Sequence, residues 1–273
     1  MSQATQAARE TERELWERAA RLPPQDPTVR MFEKDWMERL SRVPPWLPHV
    51  LYVPVVTFML VRSVWLGVGV ASTAGLAVLG LLAWTATEFL LHRYVFHEIA
   101  DEKTERSVKL KVHRIPQDEP ILPHLEGWRE KFYFVAHGVH HEFPSDPRRL
   151  VMPPSVSIPL AVLFFTLFML TLGPHLTPAF FAGFVGGYLI YDTSHYAIHF
   201  IRPGGGTEEM MYRMGKGHMR HHFSDNHKDF GVSSPLWDLL VGTFDWQERS
   251  QFASRWLRRW IERRRGSARK GGE

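Results

Sequence analysis

Residues 150–191 form a run of 42 without one Asp, Glu, Lys or Arg. A helix crossing a bilayer takes about 20 mostly apolar residues, so the run is long enough for two spans and a tight turn. A second stretch, 44–91, carries only Arg62 and Glu88 and has the same capacity. The overall share of charged residues, 23%, conceals this segregation. Inside hydrocarbon every backbone polar group must be satisfied within the protein, which restricts spans of this length to helices. The chain is therefore read as an all-α integral membrane protein with four transmembrane helices in two hairpins. The spans fall at about 46–61, 66–91, 151–172 and 177–198. Arg62 divides the first pair. Gly173-Pro174-His175 divides the second, because a helix rarely continues unbroken through Gly-Pro.

Polar segments precede, separate and follow the hairpins. Residues 1–43 hold eight basic and eight acidic residues and no signal peptide, so they read as a solvated, partly helical cytosolic arm. Residues 44–250 form the membrane-embedded domain, and 251–273 a basic tail. On a helix the tail would place Trp256, Leu257, Trp260 and Ile261 opposite Arg258, Arg259 and Glu262. Such a segment either lies on anionic lipid or is simply solvated. Of 33 basic residues, 32 fall in the arm, in 92–149 or in 192–273, and Arg62 alone falls in the other face's turn. The excess of basic residues on one side puts both termini and the central segment in the cytosol, of a bacterial inner membrane or an endoplasmic reticulum. That distribution also accounts for the net charge of +4 without any nucleic-acid partner. With no Cys, disulfides and thiolate metal sites are excluded.

Ten of the 15 histidines lie in four clusters on the cytosolic side. They are His92 and His97 in HRYVFH, His137, His140 and His141 in HGVHH, His195 and His199 in HYAIH, and His218, His221 and His222 in HMRHH. Positions i, i+3 and i+4 share a helix face, so each HxxHH triplet is expected to project three imidazoles to one side. The five-residue spacing of His92 and His97 places them roughly 140° apart on a regular helix. That pair either leaves the α-helix or serves two centres. Imidazole suits iron, zinc or copper rather than magnesium or calcium, and ten nitrogens exceed the needs of one ion and fit two. Asp192, three residues before His195, is a candidate to orient a ligating ring, since such rings often donate their second N–H to a carboxylate. Glu142, Asp146 and Asp225 flank the triplets and serve equally well as solvated or capping groups. His49, His113, His124, His175 and His227 lie outside the clusters and are read as ordinary histidines.

The order HRYVFH, HGVHHEFPSDPRRLVMPP, YDTSHYAIH, HMRHHF and FGVSSPLWDLLVGTF resembles the fatty acid 2-hydroxylases of the sterol desaturase and fatty acid hydroxylase superfamily. The histidine boxes alone indicate the superfamily; DPRRLVMPP and FGVSSPLWD narrow it to that branch. The resemblance covers about residues 84–245. It implies a four-helix membrane base under a cytosolic helical cap, with all ten clustered histidines holding two metal ions, iron in the working enzyme and zinc possible after purification. It also implies oxygen-dependent 2-hydroxylation of a long acyl chain, free or sphingolipid-linked, with no catalytic residue beyond the ligands. Many relatives carry an N-terminal haem domain for which 1–43 is too short, so a separate electron-transfer protein is expected. The stretch between His97 and His137 looks longer than is typical and could alter substrate choice. The alternatives are a sterol or carotenoid hydroxylase or desaturase of the same superfamily, and a non-catalytic metal-binding membrane protein or transporter.

Overall fold

The computed structural model describes residues 28–116, 118–200, 215, 217–222 and 225–245. The arm up to residue 27 and the tail 251–273 lie outside the described residues. Every regular element among the described residues is helical. They form two compact units that part between Tyr196 and Ala197.

The first unit opens with α1 (Asp35–Ser41), α2 (Leu47–Trp65) and α3 (Val70–Leu90), the last running directly into a π-helix, Leu91–Glu98. Next come α4 (Asp101–Val112) and α5 (Gly127–Tyr133), which continues through a second π-helix, Phe134–Gly138, into α6 (Val139–Glu142). α7 (Pro154–Phe200) ends this unit and leads into the next. Three helical stretches, Leu47–Trp65, Val70–Glu98 and Pro154–Phe200, are long and apolar enough to cross a membrane. They turn Phe58, Val61, Leu79, Val162, Leu163 and Leu170 outward, an apolar surface suited to lipid rather than water.

The first turn differs from expectation. α2 runs past Arg62 to Trp65, and the chain reverses only over Leu66–Gly69, where Gly67 has φ 88°. One long basic side chain at a helix end can carry its charge to the interface and need not break the helix. A left-handed backbone does break it, and glycine supplies that conformation freely. The second turn lies where Gly-Pro predicts it. Gly173 has φ 76°, and Thr177 Oγ1 donates to the Gly173 and Phe168 carbonyls at 2.7 and 2.9 Å. Ring pairs Phe164–Phe184, Phe165–Phe181 and Phe168–Phe180, at 4.8, 5.1 and 4.9 Å, bring the two arms of α7 back along each other.

Close contact between α3 and the second arm depends on glycine. A Cβ on Gly80 would overlap the Phe180 carbonyl, and one on Gly183 the Ala77 carbonyl. Lipid provides no hydrophobic drive between helices, so their association relies on such close backbone approach. Beside the glycines, Trp84 packs edge-on against Phe184 and Tyr188 at 5.2 and 5.3 Å.

Residues 28–43 are not the solvated arm expected. Val29 and Met31 are buried with Val108, Val112, Ile121, Leu125, Tyr133, Phe134 and Val139. Glu38 accepts hydrogen bonds from the Met31 and Phe32 amides at 2.9 and 3.0 Å and pairs with Arg42 and buried Arg149. Arg149 also donates to the Val29 carbonyl at 2.8 Å, and Asp146 accepts from the Val29 amide at 3.2 Å. Burial raises the Glu38 pKa, but Arg149, the two amides and Arg42 outweigh it and hold the carboxyl below its usual range. DPRR is thus a clamp on the chain entering α2. Removing one partner of a buried pair of this kind typically costs about 3–5 kcal/mol.

In the second unit residues 217–222 are helical, and α8 (Leu236–Val241) ends at Gly242 with φ 80°. Asp238 organises the FGVSSPLWD segment by accepting from the Phe230 and Gly231 amides at 2.9 and 2.7 Å and from the Thr243 hydroxyl at 2.7 Å.

Candidate metal centre

The π-helix at Leu91–Glu98 resolves the spacing of His92 and His97. A π-turn closes on residue i+5 rather than i+4, so side chains five apart come to one side. Both rings are buried, and they join His137 and His141: one nitrogen from each of the four lies within 4.8 Å of the others. His137 Nε2 stands 3.0 Å from His92 Nε2 and 2.8 Å from His141 Nε2. The middle member of that triplet goes elsewhere. His140 Nε2 lies 2.8 Å from His195 Nε2, near the end of α7. HGVHH therefore splits, contrary to the expectation of three rings on one side. Positions i+3 and i+4 diverge by one residue's rotation, about 100°, which suffices to aim them at separate groups.

HMRHH divides in the same way within the second unit. His199 and His222 approach His218 Nε2 at 3.1 and 3.0 Å, and the three offer nitrogens within 4.8 Å of one another. His221 Nδ1 instead lies 2.8 Å from the Lys228 carbonyl, with its ring against Phe230 at 5.5 Å.

These clusters fit metal ions. A neutral imidazole carries one N–H and one lone pair, so His137 Nε2 cannot satisfy both His92 and His141 through a single proton. A cation takes lone pairs from all of them. Burial, followed by the neighbouring rings of His141, His92 and His97, holds the His137 pKa well below normal, in the neutral form that ligates. An all-imidazole set suits iron, zinc or copper.

One orienting carboxylate was missed in the sequence. Glu105 Oε1 lies 2.8 Å from His97 Nδ1, with side-chain exposures of 10% and 1%. That contact turns Nε2 of His97 inward as the ligand atom. Glu105 lies in the charged block at 101–114, and the available signal was its place three and seven residues before Val108 and Val112 on the buried stripe of α4. Asp192, the residue expected in this role, instead accepts from the Met152 amide at 3.3 Å and so holds the loop entering α7. Glu142 meets His113 at 2.8 Å, Asp146 holds the arm, and Asp225 caps the His227 amide at 3.1 Å. His49 meets Thr193, and His124 meets Glu119, while His175 is exposed in the far turn. Replacing Glu105 by Gln keeps the shape but removes the charge behind His97. Metal affinity, read by competition with a chelator, should fall about tenfold; an unchanged affinity would assign Glu105 to packing alone.

Comparison with known proteins agrees with this site. The fatty acid hydroxylase family model matches residues 77–243. A dihydroceramide fatty acyl 2-hydroxylase of Arabidopsis thaliana is 32% identical over 214 residues, 78% of this chain and 79% of that protein. The fatty acid 2-hydroxylase of Rattus norvegicus is 35% identical over 169 residues, 62% of this chain but 39% of the rat protein. Among solved structures, full-length scs7p, in which only the hydroxylase domain is visible, is similar at a TM-score of 0.66. The match has 26% identity and covers 88% of this chain and 82% of that one.

Proposed function

Since the chain belongs to the fatty acid hydroxylase family, we propose that it hydroxylates carbon 2 of a long acyl chain, free or sphingolipid-linked, at a centre of two metal ions. The observation that carries this reading is the convergence of buried imidazoles from separate segments, in a chain whose relatives are named 2-hydroxylases. All ten clustered histidines, His92, His97, His137, His140, His141, His195, His199, His218, His221 and His222, are assigned as ligands. Iron is the working metal and zinc a substitute. Once bound, the ions supply the redox and oxygen chemistry, with electrons from a separate transfer protein.

The protein's own part is placement. The histidines fix the ions, Glu105 fixes the His97 ring, and the spans seat the lipid and exclude water. His92 and His195 stand near the ends of apolar stretches, at the membrane boundary, where a carbon beside the head group would lie. A mid-chain carbon would call for ligands deep among the spans. The glycine turns at Gly67 and Gly173 support four spans in two hairpins, and the one-sided basic residues support cytosolic termini and a cytosolic active site.

The test is expression in a host lacking 2-hydroxylated lipids, with iron and a compatible reductase, under labelled dioxygen. Lipids bearing labelled oxygen at carbon 2 are expected. Hydroxylation only on a sterol or carotenoid ring would transfer the chain to that branch of the superfamily, and label from water would overturn the oxygenase reading.

A further inference from the structure

Within the first unit a cavity opens among α2, α3 and the two arms of α7, with about 400 Å³ of atom-free space, part of it open to its surroundings. Its lining includes Leu91 and Met152 at one end and Phe164 and Phe184 at the other, with Ala161 and Tyr188 between. The Tyr52 and Ser157 hydroxyls, also in the wall, bond to each other at 2.9 Å, which leaves carbon to face the space. Apolar cavities of this kind stay dry, and hydrocarbon is the filler their chemistry favours.

Position relative to the histidines gives the cavity a direction. Leu91 immediately precedes His92, so one end lies at the level of the ligands. Phe184 precedes His195 by eleven residues on the same arm of α7, a rise of about 16 Å, on the order of a dozen methylene groups. There Phe164 and Phe184 meet at 4.8 Å with their rings tilted by 46°, and both line the cavity. We infer that this cavity is the seat of the acyl tail and that the Phe164–Phe184 pair stops its methyl end, making the pocket a gauge of chain length. The inference rests on the acyl-hydroxylase reading above.

Two variants move the stop in opposite directions. Ala161→Phe should fill the pocket and shift the 2-hydroxy products toward shorter chains, and Phe184→Ala should deepen it and favour longer ones. Because a single methylene in an apolar pocket changes selectivity about tenfold or more, the ratio of short to long products should move by about that factor. A photoreactive group on the terminal methyl of an acyl probe should label Phe164 or Phe184 in the unaltered protein, a readout that needs no variant to fold. Products still hydroxylated at carbon 2 with an unchanged length distribution, or labelling confined to lipid-facing Val162 and Leu163, would overturn the gauge. Either result would leave a bulk membrane lipid as the occupant. Loss of carbon-2 specificity already in the unaltered protein would instead overturn the functional reading.

Discussion

Exchanging His137 for Ala should abolish 2-hydroxylation, by at least about 100-fold, and lower bound metal from about two equivalents toward one. His137 is the choice because its Nε2 meets both His92 and His141, so its loss opens a cluster at its centre. Elemental analysis of the purified variant, beside product analysis, checks both halves. His175→Ala provides the contrast: that ring is exposed in the Gly173 turn and should leave metal and activity unchanged. Equal metal loss in the two variants would sink the ligand assignment. Full metal with lost activity would move His137 from ligand to a substrate-facing role.

A Gly183→Leu variant should fail to yield folded protein. Its Cβ would overlap the Ala77 carbonyl, and that oxygen belongs to a helix backbone that cannot swing aside. Relief requires α3 and the second arm of α7 to separate, undoing the contacts Trp84 makes with Phe184 and Tyr188. Overpacking commonly costs about 1–3 kcal/mol where side chains can yield, and a rigid backbone should place this case at or beyond that limit. Gly186, three residues on, has nothing within 4 Å of its would-be Cβ. Gly186→Ala should keep or slightly raise the melting temperature in detergent, since Ala is the better helix former. A Gly183→Leu protein melting like the parent would show that the two helices do not meet this closely.

Much of the site was legible because its signals are chemical and local. Imidazoles at HxxHH spacing suit a metal whatever the fold, and Gly173-Pro174 marks a turn through its own backbone preferences. Glu105 was hidden because one carboxylate among seven charged residues in α4 looks solvated until the helix acquires a buried side. The same holds for Glu38 and Arg149, whose charges belong to balanced runs and become a clamp only when 28–43 folds against the DPRR turn. Arg62 misled in the opposite sense: a charge drew the turn toward itself, while Gly67 made it.

By itself the sequence determined the solvent and the element. Charge-free runs of that length suit helices in hydrocarbon, and ten clustered histidines without a cysteine suit a metal site built from imidazole. The tertiary structure decided which histidine faces which. Spacing along a helix specifies angles between side chains but not what stands opposite them, and the π-turns at Leu91–Glu98 and Phe134–Gly138 change even those angles. Only packing brings His92 to His137 and sends His140 to His195, because a ligand set is made by the meeting of segments that are remote in the chain.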